Sequence, residues 1–148
     1  PFANKPTHFL SGGQKKRVAI ADIVVMAPSL MILDEPAAAL DPRHSRIINE
    51  IIDKLSDKGI TVLLSTHDAE RALIWADRVI VFHEGKIAGE GPPETIFMDD
   101  ALLKKTNLEK PAVLRIFDTL EKEGVLRPGL KRPRSMEELE HYIRERKG

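Results

Sequence analysis

Two adjacent carboxylates, Asp34 and Glu35, close a short apolar run, Leu30-Met31-Ile32-Leu33, and are followed by Pro36. Neighbouring carboxylates can divide labour: one binds or orients a metal ion and the other activates a water. By type alone they could equally sit in a solvated loop after a strand. A second apolar run, Ile60 to Leu64, is closed by Ser65-Thr66-His67-Asp68, which adds an imidazole to the set. Upstream, Ser11-Gly12-Gly13-Gln14 precedes a helical pattern. Helix N-termini carry free N–H groups and the positive end of the dipole, and glycines there let a phosphate approach the backbone closely. Ser11 and Gln14 also stand in the S-x-x-Q spacing of a capping box, which needs no ligand.

The elements that must position these groups follow from pattern. A helix is expected from the Ser11 cap through Val18, Ala19 and Ile23, stopping before Pro28. Leu30 to Leu33 lacks alternation and reads as a strand buried on both faces, as in a parallel sheet. Pro42 opens a second helix carrying Ile47, Ile48, Ile51, Ile52 and Leu55, with Gly59 at its end. The Ile60 to Leu64 run reads as another buried strand. Asp68 is placed to cap a helix through Leu73 and Trp75. Val79 to Phe82 is a third strand, Glu84-Gly85 a tight turn, and Lys86 to Gly89 a short returning strand. Strand, helix, strand, helix, strand is the α/β pattern, and ligands of open α/β sheets bind outside the C-terminal ends of the strands. Asp34 falls at such an end.

Composition shifts near Gly91-Pro92-Pro93. Helices are expected over Glu94 to Met98, over Ala101 to Thr106, and from Pro111 to a stop at Gly124 with Val113, Ile116, Phe117 and Leu120 on one face. A Pro/Gly-containing basic linker spans Arg127 to Arg134. Ser135 and Glu138 stand in a second capping box, before a helix with Leu139, Tyr142 and Ile143. The expected domains are thus 1–98 and a helical extension, 99–148.

Apolar residues make up 42% of the 148, enough for a core, and 23 basic residues balance 23 acidic ones. Residues 1–98 hold 11 Lys+Arg against 13 Asp+Glu, and 99–148 hold 12 against 10, so neither half has the charge bias of a nucleic-acid or anionic-membrane binder. The chain has no cysteine, which excludes disulfides, thiolate metal sites and thiol nucleophiles. No apolar run approaches the roughly 20 residues of a membrane span, and no signal peptide is visible. The opening residues, Pro1 to Phe9, read as a loop entered mid-domain.

Four of these segments together resemble the ABC ATPases. Leu10-Ser11-Gly12-Gly13-Gln14 is similar to the ABC signature, and Leu30 to Leu33 with Asp34-Glu35-Pro36 to the Walker B strand and catalytic carboxylate. Ala39-Leu40-Asp41 is similar to the D-loop, and Ser65-Thr66-His67-Asp68 to the switch-histidine segment. The likeness continues through Asp77-Arg78-Val79 and the Glu84-Gly85-Lys86 turn to about Phe97. It implies a partial P-loop NTPase fold, α/β with a mostly parallel sheet and flanking helices, plus the C-terminal helical extension. It implies ATP and Mg²⁺ as cofactors. Ser11, Gly12, Gly13 and Gln14 would contact the γ-phosphate of ATP bound by a partner subunit, and Asp34 would hold Mg²⁺ through water. Glu35 would polarise the attacking water, His67 would touch the γ-phosphate and the D-loop across the dimer, and Asp41 would join the two sites.

The chain departs from many relatives at Ala37 and Ala39, where they carry Thr and Gly. Ala37 removes a hydroxyl and no ligand, whereas Ala39 is restrictive if its backbone needs a positive φ. No G-x-x-x-x-G-K-[ST] occurs, so the phosphate cradle and its lysine are missing, as is the Q-loop segment. The expectation is a chain inactive by itself, whose signature serves another subunit's ATP or whose other half lies upstream.

The tail, with Asn107-Leu108-Glu109-Lys110-Pro111 and Arg132-Pro133-Arg134-Ser135-Met136-Glu137-Glu138-Leu139, resembles the C-terminal extension of energy-coupling-factor ATPases, as does Arg17-Val18-Ala19-Ile20-Ala21 after the signature. That likeness implies import of a metal ion or vitamin. It implies a second ATPase subunit and an integral membrane subunit as partners, no nucleic acid, and a peripheral place on the cytoplasmic face of the membrane. Two alternatives carry less. A soluble ABC ATPase acting on DNA often has a long coiled coil, and no sustained heptad occurs here. An interaction module would rest on Leu120 to Leu126 and the basic Arg127 to Arg134 segment as a faint winged-helix end.

Overall fold

The computed structural model describes residues 6–145. The loop expected over Pro1 to Phe9 lies partly outside them; within them Thr7–Phe9 is a single 3-10 turn. The chain divides into two compact units, with the boundary after His67.

In the first unit, α1 (Gly12–Val25) starts at the expected cap. Ser11 Oγ accepts from the Gln14 N–H at 3.3 Å and Gln14 Oε1 accepts from the Ser11 N–H at 3.0 Å. The capping box is therefore complete in both directions. Strand β1 (Leu30–Asp34) and strand β2 (Thr61–Ser65) pair in parallel, in a register that sets Asp34 opposite Ser65. Between them α2 (Pro42–Asp57) is the crossover helix, with Asp41 as N-cap, Pro42 in its first turn and Gly59 at φ +81° just past its end. Ile48, Ile52 and Leu55 form its buried stripe.

The strands differ from expectation in burial. Met31 and Leu33 are buried, but Leu30 is 50% and Ile32 66% exposed. Leu63 of β2 is also exposed. Side chains alternate across a strand, and within this unit only one face of the pair is covered. The continuous apolar run thus carries a second apolar face that nothing among its described residues buries.

The second unit opens with α3 (Ala69–Trp75), capped by Asp68 as expected. A hairpin follows, β3 (Val79–His83) antiparallel to β4 (Lys86–Gly91). Its turn residues, Glu84 and Gly85, both have positive φ, as a two-residue turn matched to strand twist requires. Helices α4 (Pro93–Ile96), α5 (Asp100–Thr106), α6 (Ala112–Lys122) and α7 (Met136–Glu145) complete it. Pro111 is the N-cap of α6, one residue outside the position expected. The core gathers Leu73, Val81, Ile96, Phe97, Leu114, Phe117 and Leu139 from five elements and the Phe97 turn. Lys110, 13% exposed, is held between Asp100 at 2.8 Å and Asp118 at 3.0 Å, tying the start of α5 to α6. Burial pushes the Lys110 ammonium down, but hydrogen bonds to both carboxylates outweigh this and leave it above its ordinary value. Among the described residues no helix is long and apolar enough to cross a membrane.

Candidate functional site

The parallel register brings the acidic end of β1 and the polar end of β2 together. Ser65 Oγ donates to Asp34 Oδ1. The chain then turns sharply. Glu35 has φ +43°, a region costly for a side-chain-bearing residue, and its N–H donates to Ser65 O at 3.2 Å and Ser65 Oγ at 3.1 Å. That anchored turn aims the Glu35 carboxylate at His67, whose Nδ1 lies 2.8 Å from Glu35 Oε1. The imidazole is 79% and the carboxylate 37% exposed, so both face solvent where a ligand could reach them. Three residues named from sequence, Asp34, Glu35 and His67, thus form one constellation centred on Ser65.

The loop after β1 is tied down from two sides. Lys16 of α1 donates through Nζ to Ala38 O at 2.8 Å and Glu35 O at 3.3 Å. Ser45 of α2 donates to Ala37 O at 3.3 Å and Leu40 O at 3.4 Å. Within this loop Ala39 sits at φ +58°. The restriction foreseen at that position is real: the backbone takes the left-handed conformation, which favours glycine.

Asp41 does not join Asp34 and Glu35. It caps α2, accepting from the His44 N–H at 3.0 Å, and pairs with His44 Nδ1 at 2.6 Å. The His44 backbone N–H, then its ring, hold the Asp41 carboxyl below the usual range. The other side of the His44 ring faces the signature. A Cβ placed on Gly13 would lie 2.7 Å from His44 Cδ2, whereas one on Gly12 would meet nothing within 4 Å. The two signature glycines therefore have different reasons. Gly13 makes room for His44; Gly12 leaves its side of the first turn of α1 open. Their N–H groups belong to the set a helix cannot satisfy internally, at the positive end of a 14-residue helix.

Lys16, His44 and the hydroxyl of Ser65 were not singled out from sequence as site residues. The only sequence hint was their position inside or beside recognised segments; their contacts depend on tertiary placement.

Residues 1–38 match the ABC transporter family. The chain is 46% identical over 122 residues to the energy-coupling factor transporter ATP-binding protein EcfA of Methanocaldococcus jannaschii, covering 82% of this chain and 44% of that protein. The chain belongs to the ATP-binding domains of ABC transporters. Among solved structures it is similar to CbiO1 of Clostridium perfringens, part of the ABC transporter complex CbiONQ, with TM-score 0.58, 41% identity, and coverage of 79% of this chain and 46% of that one. It is also similar to a dimeric ATP-binding cassette in a post-hydrolysis state bound to ADP and Pi, with TM-score 0.56, 35% identity, and coverage of 62% of this chain and 40% of that one. The fold is that of the ABC-type P-loop NTPases, and the family's nucleotide is ATP. The chain spans about a third to a half of the length of the curated relatives it matches.

Proposed function

We propose that this chain supplies the signature, Walker B and switch-histidine parts of an ATP-hydrolysing subunit that powers import of a small substrate, such as a metal ion or vitamin. Residues 1–98 would belong to the nucleotide-binding domain and 99–148 would form its helical extension. The subunit would work as a dimer at the cytoplasmic face of a membrane partner. The observation that carries the reading is the joining of Asp34, Glu35 and His67 around Ser65 by the β1–β2 register.

The donor set suits the cofactors. Asp34 offers carboxylate oxygen, the ligand type a hard cation such as Mg²⁺ takes, and Mg²⁺ commonly uses one or two carboxylates together with water and substrate phosphates. When bound, it supplies charge neutralisation at the phosphates. Ser65 orients Asp34 for that task. Glu35, fixed by its two N–H bonds to Ser65, is aimed to accept a proton from water, and His67 steadies its carboxylate. At the signature, the N–H of the exposed Gly12 and the exposed Ser11 hydroxyl fit an anion presented from a second subunit, with the buried Gly13 seating that turn against His44 and Gln14 closing the cap. Asp41 would bridge toward that subunit, while pairing with His44 fixes its carboxylate.

Glu35→Gln keeps the hydrogen-bonding shape and removes the base. In the assembled ATPase it is expected to lower turnover by at least about a hundredfold while ATP still binds. Turnover within twofold of wild type would remove Glu35 from this role.

A further inference from the structure

Helix α3 has only seven residues, a length marginal by itself. Its start is served locally, since Asp68 accepts the Arg71 N–H at 2.9 Å. Its end is not. The C-cap Ala76 is extended, and the last turn holds no basic residue to meet the carbonyls exposed there. Arg134 meets them from the far end of the chain. Its Nε donates to Leu73 O at 2.8 Å and its Nη2 to Ala76 O, across 61 and 58 residues of sequence. Glu94 Oε2, a buried atom with no hydrogen bond, lies 3.9 Å from Arg134 Nε and balances its charge. A cation at a helix C-terminus is favoured by the dipole, and the planar guanidinium reaches two carbonyls at once.

The start of α3 is tied to the same distant segment. Glu70 Oε1 accepts the Ala112 N–H at 2.6 Å, at the beginning of α6, where Pro111 offers no side-chain cap. Between the two ties, Leu73 is fully buried in a core that includes Val113, Leu114, Phe117, Leu126 and Leu139. All these contacts lie within the second unit. The chain passes from α3 back to His67 through its cap residue, Asp68.

We propose that the C-terminal extension is a positioning element for the switch histidine, holding α3 at both ends, with Arg134 and Glu70 as the positioning residues. The inference rests on the role assigned to His67 above. Any partner that draws Arg134 off the Leu73 and Ala76 carbonyls loosens α3, and the turn bearing His67 with it. The extension thereby becomes a place from which ATP turnover is set without touching nucleotide.

The test uses Arg134→Ala, Arg134→Lys and Glu70→Gln. In this chain, hydrogen exchange is read over 69–76 and over 112–122, the single tryptophan, Trp75, reports α3 by fluorescence, and NMR follows the His67 ring against His83 and His141 as controls. In the assembled ATPase, kcat and KM for ATP are measured. For Arg134→Ala the expected result is at least tenfold faster exchange at 73–76 with 112–122 unchanged. His67 ring signals should shift without those of His83, and kcat should fall three- to tenfold at constant KM. Arg134→Lys, which keeps the charge but not the fork, should recover part of each, and it carries the test if the alanine variant fails to fold. Unmoved His67 signals, or faster exchange spread evenly over both segments, would overturn the proposal. If His67→Ala leaves kcat intact, the role of His67 fails and this inference with it; the intact NMR response to Arg134→Ala would show that the failure lies at His67 and not at the clamp.

Discussion

The two signature glycines differ in what surrounds them, and that difference predicts opposite responses to the same substitution. Gly12→Ala adds a methyl group where nothing lies within 4 Å. Alanine is favoured over glycine in a helix by up to about 1 kcal/mol, so the variant should stabilise α1. Gly13→Ala places the same methyl 2.7 Å from His44 Cδ2, 3.1 Å from its Cγ and 3.3 Å from its Cβ. Carbon atoms pack best about 3.5–4.0 Å apart, so the ring must move by several tenths of an ångström or more. Because its Nδ1 is held 2.6 Å from Asp41, moving it loosens the Asp41–His44 pair or pushes α1 from α2. Overpacking of this kind costs about 1–3 kcal/mol. The propensity gain is common to both variants, so their difference, about 1–3 kcal/mol, isolates the contact. Hydrogen exchange of the α1 and α2 amides reads it directly, since about 1.4 kcal/mol is tenfold in protection. In a His44→Ala background the cost of Gly13→Ala should vanish, while the effect of Gly12→Ala should be the same as in wild type. Equal protection in the two glycine variants, or no rescue, would refute the assignment of Gly13 to His44.

Other positions make further tests. Ala39→Gly should relieve the φ of +58°; a left-handed conformation costs a side-chain-bearing residue about 1–2 kcal/mol, partly offset by the greater unfolded-state entropy of glycine, for a net gain of up to about 1 kcal/mol in urea titration. Lys110→Met strands Asp118, whose side chain is 17% exposed, beside an apolar group; the loss should be about 1–3 kcal/mol, less than for a fully buried pair because Asp100 is exposed. The Lys110 value is raised, so its contribution is complete below the ordinary lysine value of 10.5 and fades as pH climbs through the folded one. Alkaline stability titrations of wild type and Lys110→Met should therefore converge.

Local signals in the sequence carried the elements well. The caps at Ser11 and Asp68 and the Glu84-Gly85 turn act over three or four residues, and each is found where its chemistry places it. Ser135 shows where local reading stops. Its hydroxyl accepts the Glu138 N–H as a capping box requires, but the Glu138 carboxylate takes the Arg134 N–H instead of that of Ser135. Asp34, Glu35 and His67 were legible because they end recognisable strands. Lys16 on the loop carbonyls and Arg134 on α3 were not, because those bonds join residues 19 to 61 apart and leave no periodicity behind. Burial was half legible: in the apolar run Leu30 to Leu33, Met31 and Leu33 are buried as expected, whereas Leu30 and Ile32 are exposed.

The exposed face of β1 and β2 has a consequence for the life of the chain in a cell. Among the described residues Leu30, Ile32 and Leu63 form an uncharged apolar stripe, the kind of surface that chaperones grip for as long as it lacks a cover. Abundance is then expected to follow how fast the stripe is covered as well as the stability of the helices beside it. A variant with intact chemistry but slower covering would look like a loss of function while every residue around Ser65 remained in place.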